Sequence, residues 1–233
     1  MKVLGIIPAR SGSKRIPEKN IQPVLGKPLI WYIIQSAKKA KTLIKLIVST
    51  DSEKIAQIAR DSGVQVPFLR PKNLAQDNTP DLPVFLHALE KLEENGEKFD
   101  IVVNLRPTSP LLESEDIDKA VSLLIKTGAD SVRSMQPATQ PPQWMKTVDK
   151  NGFARPFLAN TDERKFPTRA SLPEKVYQLN AQIDVMKVYW IKKGNLYGEK
   201  MAAYIMDPQN CIDIDNLTDV YAAEAILVKR RRQ

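Results

Sequence analysis

The densest chemistry in this sequence lies at Pro8–Asn20, where Arg10, Lys14, Arg15 and Lys19 share thirteen residues with Ser11, Gly12 and Ser13. A triphosphate needs cations together with backbone N–H donors on an adaptable loop, and this segment supplies both. It matches neither G-x-x-x-x-G-K-[ST] nor G-x-G-x-x-G, so a Walker A loop and a dinucleotide fingerprint are set aside. Read as bare composition, the same run is a solvated basic loop. A second pair, Asp213 and Asp215, has i, i+2 spacing. On a strand end, both carboxylates would point the same way and share one hard cation such as Mg2+, which favours one or two carboxylates plus phosphate oxygens. A turn-and-cap cluster ahead of the last helix fits Asp215 and Asn216 equally well. The pair also fits the D-x-D of metal-dependent glycosyltransferases, a reading that leaves the basic loop unexplained. The one histidine, His87, falls mid-helix beside Val84 and Lys91, a structural setting.

The elements that must position these residues alternate. Val3–Ile7 is an apolar run ending at Pro8 and reads as a buried strand. Leu29–Lys41 puts Leu29, Ile33, Ala37 and Ala40 on one helical face. Leu43–Ser49 is a second strand, Glu53–Ser62 a helix stopped by Gly63, and Leu82–Asn95 a helix stopped by Gly96. Ile101–Leu105 has the continuous apolar character of a parallel strand covered on both faces. Ser114 reads as the N-cap of the next helix. The βαβ alternation predicts an α/β fold: a Rossmann-like, mostly parallel sheet with helices on both faces. In such sheets, function gathers at the carboxyl ends of strands, here Pro8–Asn20, Ser49–Asp51 and Arg106–Pro110. From Gln136 to Asn180 prolines multiply and helical periodicity fades, with Gln143–Val148 as a strand leaving the main body. Within a single domain spanning 1–233, residues 136–180 are expected to form an arm that pairs two copies and closes a pocket. Ile183–Ile191 reads as a returning strand, and Leu217–Lys229 as a last helix capped by Asn216 with Asp219 three positions on.

With these motifs in place, the chain resembles the acylneuraminate cytidylyltransferases. The resemblance rests on Pro8–Asn20, Ser49-Thr50-Asp51, Leu69-Arg70-Pro71 with Leu74-Ala75-Gln76-Asp77, Pro107-Thr108-Ser109-Pro110 and Ile212-Asp213-Ile214-Asp215, in that order over nearly the whole chain. It implies a nucleotidyltransferase that uses CTP, Mg2+ and a sialic-acid-like sugar acid. Arg10 and Lys19 would neutralise the leaving phosphates. Ser13, Lys14, Asn20, Arg70 and Thr79 would complete the nucleotide site, with Arg70 reading the base. Arg106, Thr108, Ser109, Arg169, Gln178 and Asn180 would hold the sugar acid, and Asp213 and Asp215 the metal. Two positions depart from many sialic acid members: Arg106 where Gln is common, and Gln178 where Arg is common. They point toward a bacterial relative of sialic acid, such as legionaminic or pseudaminic acid, with Arg106 supplying the displaced positive charge.

Composition bounds the alternatives. With 233 residues, 42% hydrophobic and 27% charged, the chain is built for one sizeable core. No apolar run reaches the roughly 18 residues of a membrane helix, and the start lacks a signal-peptide pattern. The lone Cys211 suits a reducing cytoplasm. The net charge of +8 raises nucleic-acid binding as a third function class, but no zinc-finger spacing or RNA-binding signature accompanies it. Its one dense run, Lys229–Arg232, reads as a solvated tail.

Overall fold

Ile101–Leu105 is buried at every position, and the other strands of the main sheet lie on either side of it. The computed structural model describes residues 1–13, 15–159 and 162–231. In chain order the elements are β1 (Val3–Pro8), β2 (Pro23–Val24), β3 (Lys27–Pro28), α1 (Leu29–Lys39), β4 (Lys45–Ser49), α2 (Glu53–Asp61) and α3 (Asp81–Glu93). There follow β5 (Ile101–Leu105), α4 (Ser114–Thr127), β6 (Ser131–Pro137), β7 (Lys146–Val148), β8 (Ala154–Pro156), β9 (Tyr177–Lys187), α5 (Val188–Lys192), β10 (Met201–Ile205) and α6 (Leu217–Arg231). The main sheet has six strands in the order β10-β6-β9-β5-β1-β4. Only β9 runs antiparallel to its neighbours, so the sheet is mostly parallel as expected.

Helices cover both faces. On one side, Ile30, Ile33 and Ile34 of α1 pack with Ile55 of α2 and Ile117, Val121 and Leu124 of α4. On the other, Phe85, Leu89 and Leu92 of α3 meet Val188 and Ile191 of α5. Each of these large side chains contributes about 1.5–3 kcal/mol by leaving water. A third cluster joins Ile214, Val220 and Ala223 to Ile16, Val24 and Leu29, which binds the C-terminal helix to the segment after β1. Among the described residues no helix is long and apolar enough to cross a membrane.

Several boundaries differ from expectation for physical reasons. Helix α4 is capped by Glu113 rather than Ser114, and the Glu113 N–H reaches Asp116 Oδ2 (3.3 Å). The apolar run through Ile191 does not continue as strand: after Lys187 the chain turns into α5, which drops Val188 and Ile191 onto α3. Asp213 and Asp215 lie on extended loop, not on a strand. Ile214 N–H bonds Thr108 O (2.9 Å), and its side chain is fully buried, which gives the strand-like alternation without a ladder. Lys229, Arg230 and Arg231 are helical residues of α6 rather than a tail. Asn216 caps α6 as expected, accepting from Asp219 N–H (3.1 Å).

The ends of the 136–180 stretch belong to the main sheet, since Gln136 pairs with Gln178 and Pro137 with Tyr177. Of the described residues between them, β7 and β8 form a separate hairpin. Residues 180–183 bulge out of the β6–β9 ladder, and Ser134 Oγ accepts from Gln182 N–H (3.2 Å) and Ile183 N–H (2.9 Å). Ala181 takes φ 54° there, a left-handed conformation that costs a residue with a Cβ about 1–2 kcal/mol. Ala181→Gly should therefore raise the melting temperature by about 2–4 °C. A lower melting temperature in a thermal scan would show that the methyl group's packing outweighs the strain.

Candidate active site

The end of β1 and the loops after β1 and β5 line one cleft of about 440 Å³. Its rim is the loop after β1. Ala9 N–H continues the ladder to Ser49 O (2.9 Å), and Ser11 is then pinned by Asp51 through its N–H (2.8 Å) and its hydroxyl (2.6 Å). Buried Asn20 folds the loop back by donating to Arg10 O (2.9 Å). These contacts turn Arg10 into the cleft, where it pairs with Asp77. Lys19 is largely sequestered and donates to Ile214 O (2.8 Å) and Asp215 Oδ1 (2.9 Å).

Opposite this rim, Arg70 is almost fully buried at the end of a short bridge in which its N–H bonds Thr50 O (2.7 Å). Its Nε is buried without a hydrogen-bond partner among the described residues, and the residue lines the cleft. Burial pushes its pKa down, but guanidinium stays charged in proteins. Thr79 closes a turn, accepting from Gln76 N–H (3.1 Å).

At the floor, Arg106 is held by Asp81 (3.2 Å) and Asp184 (3.5 Å), and Asp184 is in turn shared with Arg133 (3.0 Å). The pairing expected of a bracing residue is thus present, and Arg106 also lines the cleft. Beside it sit Thr108, Asp213 and Asp215. Burial, and then the neighbouring Asp215, push the Asp213 carboxyl above the usual carboxylate range against the pull of Thr108. Asp213 Oδ1 is buried with no hydrogen-bond partner. The hydrogen bond from Lys19 is the main cause holding Asp215 low, with Arg15 at 3.2 Å adding to it. A pair of carboxylates, one carrying an orphaned oxygen, fits a hard cation that takes its other ligands from phosphate and water. Among the described residues no group of three or more acidic, His or Cys side chains competes as a metal site.

Of the residues expected from sequence, Arg10, Ser13, Lys19, Asn20, Arg70, Thr79, Arg106, Thr108, Asp213 and Asp215 line this one cleft. Lys14 lies outside the described residues. Ser109 and Asn180 are buried next to the cleft: Ser109 Oγ reaches Ala181 O (3.5 Å), and Asn180 Nδ2 reaches Cys211 Sγ (3.1 Å). Gln178 instead accepts from Thr139 N–H (3.0 Å). Arg169 donates to Ala138 O (2.9 Å) and Thr139 O and lines a second groove at the base of the arm, with Pro141, Leu172 and Tyr177. His87 stands edge-on to Phe68, centroids 4.9 Å apart, on α3. Asp77 and Asp81 also line the cleft without having been expected there, as does Arg15, which the sequence marks as a loop cation but gives no specific role. Arg15 and Asp77 stood inside quoted motifs, and Asp81 follows Thr79-Pro80 at a helix start.

The family model described as Cytidylyltransferase matches residues 4–192. A CMP-N,N'-diacetyllegionaminic acid synthase of Legionella pneumophila is 33% identical over 230 residues, 97% of each chain. A pseudaminic acid cytidylyltransferase of Campylobacter jejuni is 31% identical over 97% of this chain and 96% of its own length. An N-acylneuraminate cytidylyltransferase of Escherichia coli is 34% identical over all of this chain and 54% of its own length. A CMP:2-keto-3-deoxy-manno-octonic acid synthetase solved in complex with CTP superposes with a TM-score of 0.72 at 15% identity, covering 99% of this chain and all of the other, which shows a shared fold.

Arg10→Ala and Lys19→Ala should each weaken binding of inorganic triphosphate, measured by calorimetry, by roughly 10- to 100-fold, the scale of one charged hydrogen bond. Unchanged affinity in both variants would place the phosphates elsewhere.

Proposed function

The chain belongs to the cytidylyltransferase family, and from that premise we propose that it transfers CMP from CTP to the anomeric hydroxyl of a nonulosonic, sialic-acid-like sugar acid. The observation that carries this reading is the convergence of Arg10, Lys19 and Arg70 with Asp213 and Asp215 on one cleft at the strand ends. The anomeric oxygen attacks the α-phosphorus, the bond to the β-phosphate bridge breaks, and pyrophosphate leaves as the hydroxyl proton passes to solvent. Such transfers depend chiefly on positioning and charge neutralisation. Arg10 and Lys19 meet the charge that grows on the leaving phosphates. Asn20 keeps the loop in register through Arg10 O, and the Arg70 side chain, which lines the cleft, would contact the base. Asp213 and Asp215 would hold Mg2+, which neutralises phosphate oxygens and makes the attacking hydroxyl more acidic. The reaction would take place in the cytoplasm, whose reducing conditions suit the free thiol of Cys211.

For the acceptor, a buried sugar carboxylate needs a cation, and Arg106 is the cleft arginine nearest Thr108 in sequence. Legionaminic and pseudaminic acids are the acceptors named for the full-length relatives, and we infer the same class here. A pyrophosphate-release screen of four nucleoside triphosphates against several nonulosonic acids should find activity with CTP. It should vanish with chelator and fall by about two to four powers of ten in Asp215→Asn. In the same assay Arg106→Gln should raise the acceptor KM far more than the CTP KM. No release with any pair would defeat the function. An unmoved acceptor KM with a lower melting temperature would leave Arg106 a brace for Asp81 and Asp184.

We also infer that two copies pair through the arm. Phe153, Phe157 and Met145 are 68%, 58% and 41% exposed there, more large apolar surface than a solvated hairpin keeps. Light scattering at micromolar concentration should give about twice the 26.3 kDa chain mass, and a value at the chain mass would refute pairing.

A further inference from the structure

Arg230 belongs to the basic run at the end of the chain, yet its side chain is only 27% exposed. Its guanidinium spans two segments that are far apart in sequence. One nitrogen donates to Leu111 O (3.0 Å) and pairs with Glu113 (2.9 Å); the other donates to Asn210 Oδ1 (2.6 Å). Leu111 and Glu113 follow the Pro107–Pro110 turn that carries Thr108 into the cleft. Asn210 stands three residues before Asp213, on the loop that carries both aspartates. That loop is also held by Asn180 on Cys211 Sγ, by Lys19 on Ile214 O and Asp215, by Ile214 N–H on Thr108 O and, at its far end, by Asp219 Oδ2 accepting from Asp215 N–H (2.8 Å). Asn210, Cys211, Ile214 and Asp215 are thus successive anchors, and the first of them depends on Arg230.

We propose that Arg230 is a positioning residue for transfer, its planar fork locking the 207–216 loop to the 107–113 turn so that Asp213, Asp215 and Thr108 keep their places. A lysine supplies one point charge and cannot make the same pair of divergent bonds. Neighbouring Lys229 is exposed on the same helix and provides a matched loss of charge. The role in transfer rests on the functional reading above; the lock itself does not.

Amide hydrogen exchange reads the lock without turnover. Arg230→Ala should speed exchange of Ile214 N–H and of segment 207–216 by tenfold or more while β1, β5 and α3 keep wild-type protection. In steady state kcat should fall by roughly 10- to 100-fold, the scale of a small misplacement of reacting groups, with the CTP KM moving much less. Arg230→Lys should recover part of the loss, and Lys229→Ala should match wild type in both measurements. Asn210→Ala keeps the contacts to Leu111 and Glu113, so it should show the same local exchange effect if Arg230→Ala does not fold, and where both fold the two losses should be less than additive. Unchanged exchange in 207–216, or exchange that rises equally across the whole sheet, would overturn the proposal. A wild-type protein that releases no pyrophosphate defeats the functional reading instead and leaves the exchange result to judge the lock.

Discussion

The contact between Lys19 and Asp215 joins residues 196 positions apart, and the cleft takes its shape from it. Lys19 reaches across to the Ile214 carbonyl and the Asp215 carboxylate, while Ile214 N–H holds Thr108 O on the other side. The loop after β1, the turn after β5 and the loop before α6 are thereby tied at one place. The Lys19 side chain is 17% exposed, so breaking the pair would leave a cation short of water with only the neutral Ile214 carbonyl to hold it. The apolar cluster of Ile16, Val24, Leu29, Ile214 and Val220 underneath keeps the two ends in contact.

The sheet decides what this contact can do. Parallel β1, β4 and β5 end on the same edge, where the loops after β1 and β5 line the cleft and Asp51 after β4 pins Ser11 of its rim. Antiparallel β9 begins at that edge, and its bulge at 180–183 brings Ala181 O against Ser109 in the adjoining turn. Within the cleft, Arg10, Arg15, Lys19, Arg70 and Arg106 are interleaved with Asp77, Asp81, Asp213 and Asp215. The carboxylates offset the repulsion among the cations, so an anionic ligand meets donors already in position rather than a field that has to be assembled. Most of the chain's excess positive charge therefore lies outside the described cleft.

Features that depend on local pattern were legible in the sequence. An apolar run marked β5, four positions along one face marked α1, and polar loops after apolar runs located the cleft. The two readings of Asp213 and Asp215 could not be separated locally: Ile212 and Ile214 alternate as a strand does, but Ile214 is buried by α1 and α6 rather than in a ladder, and Asp215 and Asn216 belong to the turn and cap before α6. Arg230 was taken for part of a solvated tail because its partners at Leu111 and Glu113 are more than a hundred residues away. Asp184 carried no local sign that two arginines would share it. Local spacing reports helix faces and strand runs; it does not report which distant charges meet.

Lys19 and Asp215 hold each other, and in the proposed reaction they separate when the nucleotide arrives, Lys19 to the triphosphate and Asp215 to a divalent ion. Calorimetry of CTP binding to Asp215→Asn, with and without magnesium, tests this most directly. Without the metal the variant should bind CTP more tightly than wild type, because a carboxylate facing the phosphates is gone and Lys19 is released. With magnesium it should bind more weakly, by about tenfold for the loss of one charged ligand. A change of the same sign in both conditions would contradict the account.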